Sequence, residues 1–172
     1  MKKIKTVMLA IICNLLFFNC FAQSSDCKFE INKTDPVTKA PVRKIKTKIS
    51  GMEDFYFIIN RNDTSYTLSL DLWISGSIRE TVEKNDKVNI SLSGGEILTL
   101  LASERSKPIS HFGDQAWTEY LINYPIRSVD LKNLIEIKPL TISLKVGKEP
   151  FSRELNKNDV DKIKSIIRCI TK

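Results

Sequence analysis

One histidine, His111, serves the whole 172-residue chain, and that scarcity excludes a good deal of chemistry. A serine or cysteine triad, or a zinc site built on histidines, must use His111 or do without it. No G-x-S-x-G elbow, H-E-x-x-H pair or C-x-x-C pair occurs, so the short motifs that carry a nucleophile or a metal are missing. A membrane-crossing helix needs about 20 apolar residues. The run from Val7 to Phe18 stops well short of that, broken softly by Cys13 and Asn14, and gives way to Gln23, Ser24, Ser25 and Asp26. Internal repeats, low-complexity tracts and linker-like stretches are also lacking, which leaves one domain as the expectation.

What opens the chain is an address. Met1–Lys5 carries three lysines and no acid ahead of the apolar run, the layout of a secretory signal. Cys20-Phe21-Ala22 places small residues at the −3 and −1 positions of a cut after Ala22. The expectation is therefore a signal peptide over residues 1–22 and a single domain over 23–172. A second reading makes Cys20 a lipid-bearing first residue, although Phe17, Phe18 and Asn19 before it are not the small residues such processing favours. A third keeps the segment as a buried N-terminal helix of a cytosolic protein, against the lysine head and the polar break.

Removing residues 1–22 changes the charge. The whole chain is +7, but Lys2, Lys3 and Lys5 leave with the leader, so 24 Lys and Arg face 20 Asp and Glu in the remaining 150 residues, a net +4. That residue of basicity has no concentrated footprint, so a nucleic-acid partner is not expected. Export also leaves two cysteines, Cys27 and Cys169. An oxidising compartment favours a disulfide between them, and two buried free thiols are the alternative.

Alternation of apolar and polar residues dominates the middle of the chain. Tyr66, Leu68, Leu70, Leu72 and Ile74 fall on one side, Thr67, Ser69, Asp71, Trp73 and Ser75 on the other, the signature of a half-buried strand. Phe55–Asn60 is apolar on both faces, as a central strand would be, and Arg61–Ser65 supplies a hairpin loop. Val88–Leu101 contains Gly94 and Gly95 and reads as a second hairpin. A two-residue turn would set Leu92 opposite Ile97. A Gly94-Gly95-Glu96 loop would set Leu92 opposite Leu98 and Ile90 opposite Leu100, and is preferred because apolar residues then share a face.

Further strands are expected at Cys27–Asn32, Val42–Ile49, Thr118–Tyr124, Leu140–Val146 and Phe151–Leu155. Lys44, Lys46 and Lys48 share one face of the second of these and read as protection of an exposed edge. Ser128 is expected to cap a short helix near 128–135 with Leu131, Leu134 and Ile135 on its apolar side. Asn158 is expected to cap an amphipathic helix near 158–171 that buries Val160, Ile163, Ile167 and Ile170. The fold class is thus α+β, mainly β: an antiparallel sheet or sandwich of roughly seven to nine strands with those two helices.

Candidate chemistry is thin. Ser110, His111 and Asp114 are neighbours in sequence, which rarely makes a nucleophile, base and orienter. Glu53, Asp54, Asp71 and Glu119 are carboxylates from which an acid and base pair would have to come. Asn62-Asp63-Thr64 and Asn89-Ile90-Ser91 match a glycosylation pattern that matters only in a eukaryotic secretory route. Gly94-Gly95 fits a turn better than a phosphate cradle, since no helix follows. Trp73, Trp117, Tyr120 and Tyr124 are candidates to line a ligand groove, with Trp73 standing on the polar face of its strand. No catalytic, cofactor-binding or metal-binding residue is assigned, and no cofactor is expected.

Asp35–Lys39 as D-x-x-T-x, Leu92–Leu100 as L-S-G-G-E-I-L-T-L, Tyr124–Leu134 as Y-P-I-x-S-x-x-L-x-x-L and the closing Arg168-Cys169-Ile170 resemble a group of small exported β-rich proteins of Gram-negative bacteria. That group has no assigned activity, so the resemblance implies a place and a shape and transfers no site residue. The expected function is a non-enzymatic envelope or exterior module binding a protein or glycan partner. The alternatives are a hydrolase of envelope polymers and a surface protein anchored through Cys20.

Overall fold

A computed structural model describes residues 27–51 and 54–172. The expected leader, Cys13, Cys20 and Glu53 lie outside these residues. The described chain runs β1 (Ile31–Thr34), β2 (Pro41–Ile49), β3 (Phe55–Asn62), β4 (Ser65–Ser75), β5 (Lys87–Leu92), β6 (Ile97–Leu101), β7 (Ile109–Phe112), β8 (Ala116–Ile126), α1 (Ser128–Glu136), β9 (Pro139–Val146), β10 (Glu149–Glu154) and α2 (Lys157–Ile170). Six strands form one sheet in the order β1-β2-β3-β4-β8-β7 and four form another in the order β10-β9-β5-β6, with every neighbouring pair antiparallel. The α+β, mainly β class is the observed one.

Alternation in sequence becomes layering in space. In the six-stranded sheet Ile45 pairs with Ile59, Ile59 with Leu68 and Leu68 with Tyr124. One register step away, Phe57 meets Leu70 and Leu70 meets Ile122, and these side chains are all buried. Each large apolar side chain removed from water in this way contributes roughly 1.5–3 kcal/mol. Val88 and Ile90 of β5, Leu100 of β6 and Ile142, Leu144 and Val146 of β9 supply the facing layer of the same core. Because successive side chains of a strand point to opposite faces, this commitment leaves the other face of the six-stranded sheet to polar residues.

The second hairpin settles on a register neither expectation gave, one residue from the two-residue turn and two residues from the preferred loop. Ile90 pairs with Leu98 and Val88 with Leu100, and the loop is Ser93-Gly94-Gly95. Gly95 holds φ +83 and donates its N–H to Leu92 O at 3.0 Å, while Leu92 N–H reaches Glu96 O at 2.8 Å. This is a three-residue turn whose last residue is left-handed, a conformation that glycine adopts freely. Shifting the loop puts the more permissive residue at that position and still keeps the apolar side chains on one face.

Both helix starts differ from expectation by a residue or two. The N-cap of α1 is Arg127, and Ser128 is already helical. Arg127 Nε and Nη2 fork onto the Asp130 carboxylate at 2.7 and 2.8 Å, fixing the first turn without a hydroxyl cap. The cap of α2 is Asn156, two residues before Asn158. Asn156 and Asn158 both have an aspartate three residues on. Asn156 prevails because the Asp159 carboxylate also accepts from Ser50 N–H at 3.0 Å and Ser50 Oγ–H at 2.8 Å, tying the helix start to the end of β2. Val160, Ile163, Ile166, Ile167 and Ile170 of α2 are buried, and the helix lies against β2 and β3.

A disulfide joins Cys27, ahead of β1, to Cys169 in the last turn of α2, with Cα atoms 5.7 Å apart across 142 residues of chain. A structural disulfide of this kind belongs to an oxidising compartment. No helix among the described residues is long and apolar enough to cross a membrane.

Candidate functional site

The outer face of the six-stranded sheet carries the side chains that the core does not use. Lys44, Lys46 and Lys48 stand on it, but β2 is an interior strand between β1 and β3. β1 pairs only with Pro41–Lys44, so Lys44 lies beside a paired stretch, while Lys46 and Lys48 stand where, among the described residues, no strand pairs with the outer edge of β2, as edge protection requires. All three lysines also meet local anions: Lys44 and Lys46 reach Glu30 at 3.1 and 3.0 Å, and Lys48 pairs with Asp54. Lys46 also sits over the Tyr56 ring, 4.9 Å from its centroid.

Next to the lysines the face closes on itself. Asn60 Nδ2 donates to Ser69 Oγ at 3.0 Å, Ser69 Oγ donates to Asn123 Oδ1 at 2.6 Å, and Asn123 Nδ2 donates to Glu104 Oε1 at 2.9 Å. This ladder crosses β3, β4, β8 and the segment before β7.

Toward the other end the character changes. Trp73 of β4 pairs with Glu119 of β8, which in turn pairs with Ile109 of β7. One step along, His111 of β7 pairs with Trp117 of β8. Trp73 and His111 stack with centroids 4.5 Å apart and planes at 19°, and His111 Nε2 lies 2.8 Å from Glu119 Oε2. Their side chains remain open to water, 41% for His111 and 23% for Glu119. Asp71 stands two residues before Trp73 on the same face, beside Leu121, which is 47% exposed. A shallow groove of about 490 Å³ adjoins this surface, lined by His111, Trp117 and the hairpin Phe112–Gln115.

Asp71 is the electrostatically unusual member. Its Oδ1 is screened from water and lacks a hydrogen-bond partner. Partial burial, followed by the charge of Glu119, raises its proton affinity above the ordinary aspartate value, against the Trp73 indole N–H and the Lys46 and Lys44 ammonium groups. Two carboxylates that crowd each other beside stacked aromatic rings make a surface suited to hydrogen-bond donors and to positive charge.

Several expected neighbours part company here. Ser110 pairs with Thr118 on the opposite face of β7, and Asp114 lies in the hairpin loop, so neither joins His111 in a triad. Asp54 is engaged by Lys48. Tyr120 and Tyr124 are fully buried on the inner face and line no groove. Asn62-Asp63-Thr64 closes the β3–β4 hairpin, Asn89 and Ser91 lie in β5, and Gly94-Gly95 forms its turn. Among the described residues no three His, Cys, Asp or Glu side chains converge as a metal site. The sequence pattern missed β7 itself, the short strand that carries His111 to Glu119.

Compared with known protein families, curated proteins and solved structures, the chain finds no match.

Proposed function

We propose that this protein is exported, sheds residues 1–22, and acts as a non-enzymatic binding module of the cell envelope or exterior that holds a glycan on the outer face of its six-stranded sheet. The observation that carries this reading is the Trp73–His111 stack standing beside Trp117, Asp71 and Glu119, with His111 and Glu119 open to water among the described residues. Aromatic rings offer a flat apolar surface to the C–H face of a sugar, and carboxylates accept from its hydroxyls. Calorimetric titration of the mature chain with soluble fragments of envelope glycans tests it. Trp73→Ala and Trp117→Ala should abolish measurable binding with an unchanged far-ultraviolet spectrum; undiminished binding by both variants would refute it.

A second reading, a hydrolase of envelope polymers, draws on one observation: Asp71 holds its proton more tightly than an ordinary aspartate because it is partly buried and Glu119 lies near. An acid and a base with separated proton affinities are what glycoside hydrolysis requires. The open face argues the other way, since nothing among the described residues encloses a reacting bond against water. Release of new reducing ends that Glu119→Gln eliminates would favour the hydrolase.

A further inference from the structure

Resting on the glycan reading, we infer that the sugar recognised at this site bears a free amine, whose ammonium group is received by Asp71 and Glu119 beside the aromatic surface of Trp73, His111 and Trp117. The argument is one of charge. A neutral sugar needs acceptors and a flat ring, but gains nothing from placing two acids on adjacent strands, one register step apart, where partial burial and the charge of Glu119 both oppose the ionisation of Asp71. An ammonium group between them neutralises that opposition and supplies the donors that two carboxylates can accept. Aromatic faces add to the attraction for a cation through their ring quadrupoles.

The charged groups around Asp71 agree with this assignment. Lys44 and Lys46 of β2 are held by Glu30, and Lys48 by Asp54. On β3 the register partner of Asp71 is Tyr56, which carries no positive charge. On β8 the flanking groups are Leu121 and Glu119, and on β7 His111 is engaged with Glu119. Lys46 and Lys44 reach Asp71 only as the weakest influences on it, behind burial, Glu119 and Trp73, so the basic residues are held mainly at the β2 end and the β4–β8–β7 end is the acidic one.

Three probes of equal length separate the possibilities: a tetramer of N-acetylglucosamine, the same tetramer with its amines free, and tetralysine. Each is titrated into the mature chain in buffer of low ionic strength at neutral pH. The free-amine tetramer should bind at least roughly fivefold more tightly than the acetylated one and lose that advantage as salt is added. Asp71→Asn and Glu119→Gln, each checked for an unchanged unfolding midpoint, should remove the advantage, weakening the free-amine tetramer several-fold more than the acetylated one, which loses only hydroxyl acceptors; equal weakening of both tetramers would overturn the assignment of the ammonium group to these carboxylates. Equal or tighter binding of the acetylated tetramer would overturn the inference and leave the glycan reading standing. Tetralysine binding as tightly as the free-amine sugar would overturn it in favour of a basic protein partner. Absence of binding by either sugar would overturn both.

Discussion

Tyr120 and Tyr124 lie four residues apart on the same inner face of β8, both fully buried, and removing their hydroxyls should move stability in opposite directions. Tyr120 Oη–H donates to Glu80 O at 2.7 Å. Tyr120→Phe deletes that bond and should cost about 1 kcal/mol. Tyr124 Oη is buried with no partner, so Tyr124→Phe removes a desolvated polar group at almost constant volume and should stabilise by about 1 kcal/mol. For a domain of this size 1 kcal/mol moves the midpoint by roughly 2–4 °C, so the two variants should lie about 4–8 °C apart, on either side of the parent. Thermal unfolding followed by circular dichroism reads the difference, and urea unfolding with an unchanged slope checks that only stability moved. Shifts of the same sign would sink the reasoning. The two phenols also bear on alkaline stability. Burial, reinforced by Glu80, pushes Tyr120 up to about 12, and burial, reinforced by Asp86, raises Tyr124 further. The unfolded chain ionises its tyrosines near pH 10, so their contribution is whole below that point and is lost as pH climbs toward about 12. The double Phe variant should show a shallower loss over that interval.

Asp159→Ala should lower stability by about 2–3 kcal/mol, because it dismantles the capping box of α2 and both bonds to Ser50; a denaturation midpoint within error of the parent would refute the assigned role. Opening the Cys27–Cys169 bridge frees a chain segment of 142 residues, for which the loop-entropy estimate is up to about 5 kcal/mol. Guanidinium unfolding with and without reductant, and of Cys27→Ser with Cys169→Ser, should show a loss of that order, and coincident curves would contradict the covalent closure.

The parts of the fold that were legible in the sequence are those where one residue's environment is set by its own strand. Leu68, Leu70 and Leu72 declare an inward face by period alone, and the spacing of Val160, Ile163, Ile167 and Ile170 declares the buried side of α2. What depends on a distant partner was not legible. Asn156 and Asn158 are equivalent as caps until Ser50, 109 positions away from Asp159, chooses between them. The lysine row of β2 does not show that β1 covers its first half, Pro41–Lys44, and leaves the stretch with Lys46 and Lys48 unpaired on that side. The candidate site fails for the same reason: Ile109–Phe112 has no apolar period, three of its four residues are exposed, and it is a strand only because β8 pairs with it. Trp73 on a polar face, Trp117, His111, Asp71 and Glu119 are each candidates by residue type, but nothing in the sequence places them together.

The outer face divides by whether its polar groups already have partners, and that division locates where a ligand can add binding energy. Along Asn60, Ser69, Asn123 and Glu104 each donor meets an acceptor within the protein. A ligand arriving there would have to break a bond to make one, and the exchange is close to neutral. At Asp71 the exchange is not neutral, because Oδ1 has no bond to lose and the neighbouring charge of Glu119 opposes ionisation. Folding therefore leaves a local deficit at one end of an otherwise satisfied face. Such deficits survive where something other than stability maintains them. A ligand that brings a donor and a positive charge removes both parts of the deficit at once, so the aspartate left unsatisfied in the free fold would strengthen the bound one.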